Sequence, residues 1–433
     1  MATRSASWSR PADGRTSAAL AAALASLLFL VAWWCLHRDF FVGDQISDLY
    51  VYATYGNAIE GGELPYRDFG VEYPPAALPL FALPSLAQAH GLGGYADAFD
   101  RLIWLCGCAG LAFMALALRE LRAPPRRFAG ALAFGALAPL ALGSVVLTRY
   151  DLWPAALTVA AVAAVLAGRN RLGLGALGLG IAAKVFPAVV APILVMHVWR
   201  RHGRREALVS TAFSAGVVVA CFAPFLALAP HGVWSSVVRQ TTRPLQIESV
   251  GAAALIVAHH VGGLEVTMRT SAGSQNLVGT LPRDVGRVLT VIQLLAVVGV
   301  WLWFRRGDTA SRERLVVACA AAVCAFVALG KVLSPQFLIW LVPLVPLVRG
   351  RRGLAASGLL GVALVLTQLW FPSRYWWLVY GFHTRETILV AARDATLLAL
   401  LAVLVWPRRE SEVGPVYTGP GPMGTHGPPA ERA

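Results

Sequence analysis

Charge is what this sequence has least of. Asp, Glu, Lys and Arg make up 14% of its 433 residues, and hydrophobic types make up 57%. Water-soluble domains carry about 25% charged residues. Lysine occurs only at Lys184 and Lys331, and 37 basic and 23 acidic residues must serve the whole chain. That scarcity excludes an ordinary soluble enzyme and a disordered chain. It also excludes a nucleic-acid binder with an extended basic face, despite a net charge of +14, so no nucleic-acid partner is expected. Cysteine is sparse and unpatterned. Cys35, Cys106, Cys108, Cys221, Cys319 and Cys324 all fall in apolar runs, without histidine partners at metal-ligand spacing. They read as small buried hydrophobes. No metal and no cofactor are expected.

Long apolar runs are present instead. A bilayer core about 30 Å thick needs roughly 20 apolar residues per helix. Runs recur near 17–36, 99–118, 128–147, 151–168, 172–199, 207–229, 286–304, 312–330, 335–348, 354–371 and 389–407. The run at 172–199 is too long for one span and holds Lys184 and Pro187 near its middle. It reads as a hairpin of two short helices turning near Lys184. The expected fold is all-α: a polytopic membrane protein of about twelve transmembrane helices, embedded in membrane lipid over 17–407.

Arginine clusters at 119–127, 169–171, 200–205, 305–314, 349–352 and 408–409 then share one side with the N-terminal segment 1–16, as the positive-inside rule requires. The other side receives a large first loop (37–98), the turn at 148–151, a long loop (230–285), the turn at 331–336 and residues 372–388. Residues 74–90 are apolar but carry Pro74, Pro75, Pro79 and Pro84. A crossing there would turn the 119–127 cluster outward. The segment is therefore expected to be re-entrant or to lie in the interface. The Gly/Pro-rich tail 408–433 is expected to be disordered and cytoplasmic.

Polar chemistry collects on the side opposite the arginines. The first loop, DFFVGDQISDLYVYATYGNAIEGGELPYRDFGVEYPP, interleaves acids with tyrosines. Carboxylates accept sugar hydroxyl hydrogen bonds and rings pack on sugar C–H faces. A solvated loop with interfacial tyrosines is the plainer account. Asp48 opens DLYVY, where a carboxylate either takes a proton from a hydroxyl or caps a helix. Asp44 is an alternative for either part, and Tyr52 is a further candidate contact. In LTRYDLWPA, Arg149 and Asp151 either pair with each other at a helix end or hold a phosphate and a sugar hydroxyl.

Lys184 stands in a long run of non-ionisable residues. It is too deep for a surface lysine, so it faces a cavity or an anion, or else snorkels outward. Its compact charge suits phosphate. Lys331 stands in the same register, followed by Ser334, Pro335 and Gln336; a helix start there would add free N–H groups. The long loop adds RQTTRPLQIES, with Arg243, Gln246 and Glu248. Basic residues here run against the local trend. Together these groups describe two neighbouring subsites, one for a lipid-linked phosphate and one for a sugar or polyol. A polyprenyl-phosphate sugar supplies both.

The stretches DLYVYATYGNAIEGGELPYRDFGVEYPP, LTRYDLWPA, AAKVFPAVVAP, RPLQIES and KVLSPQFLIWLVPL resemble the glycosyltransferase 87 family. Its members are GT-C-class, polyprenyl-phosphate-mannose-dependent enzymes and include actinobacterial mannosyltransferases. The resemblance spans about 38–405. It implies an inverting transfer of mannose, or a related sugar, to a glycolipid or cell-envelope glycan on the extracytoplasmic face of the cell membrane. The family's base is an acidic residue of the first extracytoplasmic loop, matched here by Asp48. Lys184, Arg243 and Lys331 as donor-phosphate ligands rest on the residues themselves. So do Asp44, Tyr52, Arg149, Asp151, Gln246, Glu248, Ser334 and Gln336 as substrate contacts. Related GT-C families use a divalent metal, but no compact carboxylate cluster here demands one. The rival is a polytopic lipid or sugar transporter or flippase, which calls for two matching hydropathic halves; the acidic first loop has no second-half counterpart.

Overall fold

The computed structural model describes residues 13–38, 41, 43, 45–87 and 91–406. The expected disordered tail, most of the N-terminal segment, and Asp44 lie outside the described residues. The chain opens with α1 (Asp13–Leu36), α2 (Leu49–Glu60), α3 (Leu78–Leu86), α4 (Gly91–Glu120) and α5 (Pro125–Leu142). Next come α6 (Leu152–Leu166), α7 (Asn170–Ala183) and α8 (Ala191–Leu228). The long loop folds into α9 (Pro230–Thr241), β1 (Leu245–Gln246), α10 (Val250–Gly262), β2 (Thr267–Ser271) and β3 (Ser274–Val278). The chain then runs through α11 (Thr280–Arg306), α12 (Arg312–Ala328), α13 (Gly350–Gln368), α14 (Tyr375–Gly381) and α15 (Thr384–Val405).

Apolar composition decides how these helices are used. Among the described residues, five helical stretches are long and apolar enough to cross a bilayer: Ala18–Leu36, Gly91–Glu120, Phe186–Leu228, Thr280–Arg306 and Thr384–Val405. Large side chains such as Leu24 and Leu27 on α1, Val219 on α8, and Leu294 and Leu295 on α11 are exposed. Apolar belts of this size are lipid-facing surface. By contrast, α6 and α12 are buried on nearly every side and are apolar all round, the pattern of central helices. The chain is a multi-pass membrane protein.

Breaks fall where the sequence punctuates. Within α8, Gly203 has φ 84° and ψ 168°, so two helices meet there inside the arginine cluster. α7 ends at Lys184, whose backbone is extended, and a short 3-10 helix (Phe186–Val190) leads into α8. This is the interruption expected near Lys184. α7 packs closely because of its glycines: a Cβ on Gly178 would lie 2.5 Å from the Ser214 carbonyl oxygen.

The arginine clusters among the described residues gather at one end of the helices. Arg127 pairs with Glu313 at 3.1 Å, and Arg312 donates to the Glu120 carbonyl at 2.8 Å. Arg201 donates to the Ala310 carbonyl at 3.2 Å. Arg127 also reaches the carbonyl of Leu347, and Arg352 that of Trp406. Loops far apart in sequence are thereby tied into one arginine-rich rim.

The first loop is folded. α3, with the 3-10 turn Pro75–Ala77, extends only from Pro75 to Leu86. Twelve helical residues reach about 18 Å, short of a bilayer core. The segment packs beneath α2 instead, with Tyr52 stacked on Phe81 at 4.4 Å. α4 begins at Gly91, before the apolar run that announced it.

A three-stranded antiparallel sheet, ordered β1-β3-β2, departs from the all-α expectation. Its hairpin turns at Ala272 and Gly273, both at positive φ. Two such residues define the tight turn that matches strand twist. The stretch TMRTSAGSQNLV carries that signal, overshadowed in the sequence by the apolar runs around it.

Candidate active site

Above the helices, away from the arginine rim, lies a cavity of about 940 Å³. Ligand sites run to about 300–1,000 Å³, so it has room for a sugar phosphate and an acceptor sugar. Its wall brings together Asp48, Tyr52, Arg149, Lys184, Arg243, Gln246, Glu248, Lys331, Ser334 and Gln336. These come from α2, the α5–α6 joint, the α7–α8 break, the β1 segment and the turn after α12. Gly273 and Ser274 of the hairpin also reach it. Asp151, expected on the wall, lies beneath it.

One polar cluster is built around Asp48. The residue occupies the N-cap position of α2 but makes no capping hydrogen bond through its side chain. Its Oδ1 instead meets Arg149 Nη1 at 2.8 Å, and Tyr52 donates its hydroxyl to Oδ2 at 3.5 Å. Asp48 is partly exposed, whereas Arg149 is buried. Arg149 therefore orients a carboxylate at the cavity surface, and the alternative in which Arg149 pairs with Asp151 is not the arrangement seen.

Lys184 and Asp151 form a second pair. Lys184 Nζ donates to Asp151 Oδ1 at 2.7 Å, and Trp340 Nε1 donates to the same oxygen at 2.6 Å. The ammonium lies 4.6 Å from the Tyr150 ring centre and 5.2 Å from that of Trp340. Such cation–π contacts hold a partly desolvated cation. Trp340 is itself stacked between Phe186 and Phe337, at 4.1 and 4.2 Å. Asp151 thus serves Lys184 from below rather than facing a substrate hydroxyl. Lys184 remains on the wall, but its charge is already matched.

The third cluster is cationic. Lys331 Nζ donates to the Thr241 carbonyl at 3.0 Å, and the Lys331 carbonyl accepts from the Gln246 backbone N–H at 3.0 Å. That bond fastens the turn after α12 to β1. Burial, and then the like charge of Arg243, hold the Lys331 ammonium below its usual range. Neither Arg243 nor Lys331 has a carboxylate within ion-pairing distance among the described residues, and Arg243 Nε is buried without a partner. Beside them, the Gln246 side-chain amide donates to Ser334 Oγ at 2.8 Å and also to Glu248 Oε2.

Other residues on the wall had no site role assigned from the sequence. Glu72 pairs with Arg239 of α9 at 3.6 Å, and its carbonyl accepts from Gln240 at 3.0 Å. Phe371, Tyr375 and Trp376 close another part of the wall. Their aromatic character was visible, but their approach to the cavity depends on how α13 and α14 fold back.

The sequence profile of glycosyltransferase family 87 matches residues 72–335, more than half of the chain. The chain belongs to glycosyltransferase family 87. It is therefore a membrane glycosyltransferase. The matched region includes Arg149, Lys184, Arg243, Gln246, Glu248, Lys331 and Ser334; Asp48 and Gln336 lie outside it. No curated protein sequence matches the transferase. Among solved structures, the crystal structure of ArnT from Cupriavidus metallidurans bound to undecaprenyl phosphate is similar at 14% identity and a TM-score of 0.48, over 89% of this chain and 76% of that one.

Proposed function

We propose that this family 87 transferase moves a mannosyl or related residue from a polyprenyl-phosphate donor to a glycolipid or cell-envelope glycan. The transfer inverts the anomeric centre and takes place on the extracytoplasmic side of the cell membrane. The observation that carries this reading is the neighbouring pair Arg243 and Lys331, cations without ion-pair partners among the described residues, on the wall of a cavity shared with Asp48. Two such charges side by side are costly until an anion joins them.

The chemistry needs one base and one leaving phosphate. Asp48, oriented by Arg149, takes the proton from the acceptor hydroxyl. The acceptor oxygen attacks the anomeric carbon from the face opposite the phosphate. The bond from that carbon to the phosphate oxygen breaks, and its electron pair stays with the phosphate. Arg243 and Lys331 face the charge that develops there. Lys184 lends a hydrogen-bond donor with its charge balanced by Asp151. Gln246, Ser334 and Gln336 hold sugar hydroxyls, and Tyr52 keeps Asp48 in place.

Purified protein with labelled polyprenyl-phosphate-mannose and a membrane extract tests the reading directly. Asp48→Asn should lower kcat about 10²–10⁴-fold while donor binding stays near wild type, with a modest fall in unfolding temperature because buried Arg149 loses its carboxylate partner. Arg243→Ala and Lys331→Ala should weaken donor binding. A wild-type protein that transfers no sugar from any polyprenyl-phosphate donor overturns the assignment. Retained kcat in Asp48→Asn removes that residue as the base.

A further inference from the structure

Glu248 is a carboxyl that burial, not its neighbours, turns against ionisation. It lies on the cavity wall and is 2% exposed. It follows β1, whose Gln246 links it to Ser334, and the same Gln246 is tied through its backbone to Lys331. Yet its carboxyl has no ion-pair partner among the described residues. Arg393 of α15 approaches, but donates to the Glu248 backbone carbonyl at 2.7 Å and spends its charge on Asp394, also at 2.7 Å. Arg149 is taken up by Asp48. A buried carboxyl in that position is stable as the neutral acid. An ionised one would also repel the phosphate that the neighbouring Arg243 and Lys331 are placed to receive.

We propose that Glu248 works as a protonated carboxylic acid that donates a hydrogen bond from its O–H to the donor phosphate. This inference rests on the polyprenyl-phosphate reading and extends it. The proton stays on Glu248 throughout; the acceptor hydroxyl's proton goes to Asp48, so no further proton transfer is required. The O–H meets the oxygen on which charge accumulates as the glycosidic bond breaks. Burial pushes the carboxyl up to about 8, against the opposing pull of Arg393, the Gln246 amide, Arg149 and Arg243. Tyr375 of α14 also faces it. An arriving phosphate adds negative charge and favours the protonated form further. Binding is thus strong below the folded value and is lost as pH rises through it.

The test uses the full chain in detergent or nanodiscs with polyprenyl phosphate itself as the probe, between pH 6 and 9.5. Wild-type affinity should fall about tenfold per pH unit once Glu248 ionises. Glu248→Gln, a neutral donor at every pH, should bind within about threefold of wild type at pH 6.5 and lose the alkaline fall. Lys331→Arg, which fixes that charge across the range, should retain the fall. An alkaline fall that persists in Glu248→Gln, or that disappears in Lys331→Arg, overturns the proposal. So does Glu248→Gln that folds but has lost affinity at pH 6.5, which would mean that the carboxylate is the working form. Failure of the wild-type protein to bind polyprenyl phosphate at pH 6.5 would instead sink the donor reading itself.

Discussion

Asp48 and Lys184 show how a charged residue is defined by its partner. An aspartate ahead of LYVYATYG has the makings of a helix cap, yet its side chain turns away from the helix N–H groups to Arg149. Lys184, anomalous within an apolar run, finds Asp151 beneath it. That pair is largely removed from water, so its members are far more stable together than alone. Asp151→Ala should destabilise the protein by about 3–5 kcal/mol, because it leaves a buried ammonium uncompensated. The double variant Asp151→Leu with Lys184→Met should lose less than the single one, since no charge is stranded. Unfolding of Asp151→Leu, Lys184→Met and the double variant in detergent, read as a double-mutant cycle, measures the coupling. A double-variant loss equal to the sum of the two single losses would mean that the pair contributes nothing as a pair.

At the scale of elements, the apolar runs were legible and the polar contacts between elements were not. Hydropathy located the long membrane helices, and the arginine cluster 200–205 located the break within α8. Lys184, Arg243 and Lys331 stood out because a lysine or a contrary arginine is rare in this chain. The division of labour among them was hidden, because Asp151 precedes Lys184 by 33 positions and nothing in their spacing announces a contact. The β2–β3 hairpin was missed because short polar strands carry no long periodic signal.

The junction of α2 with α3 shows what such contacts control. A Cβ on Gly56 would lie 2.2 Å from the Phe81 carbonyl oxygen. Gly56→Ala must therefore push α2, and Asp48 at its start, away from α3. Overpacking of this kind costs about 1–3 kcal/mol, and a shift of about 1 Å in a reacting group is worth up to about 10²-fold in rate. A fall in both the unfolding temperature and kcat is expected, with polyprenyl phosphate affinity little changed. Unaltered kcat would show that α2 does not set the position of the base.

For the whole molecule, the decisive property is the separation of two ends. Arg127, Arg201, Arg312 and Arg352 tie loops together at one end through carbonyl and carboxylate partners. Asp48, Lys184, Arg243 and Lys331 share the cavity away from them. If the rim is cytoplasmic, as positive charge near membrane helices favours, the cavity opens on the far side. One short apolar segment, Pro335–Leu347, is built from 3-10 turns. At about 2 Å per residue, such a conformation stretches thirteen residues to about 26 Å, close to the depth of the hydrocarbon core. Single cysteines at Glu63→Cys and Arg351→Cys, both exposed positions, place the two ends in a background lacking reactive native thiols. A membrane-impermeant maleimide applied to intact cells should label the cysteine at position 63 immediately and the one at 351 only after permeabilisation. Labelling of both from outside would put the two ends on one side and remove an odd number of crossings between them. Labelling of 351 alone would invert the molecule, placing the base and the cation pair in the cytoplasm, where the proposed extracytoplasmic acceptor could not reach them.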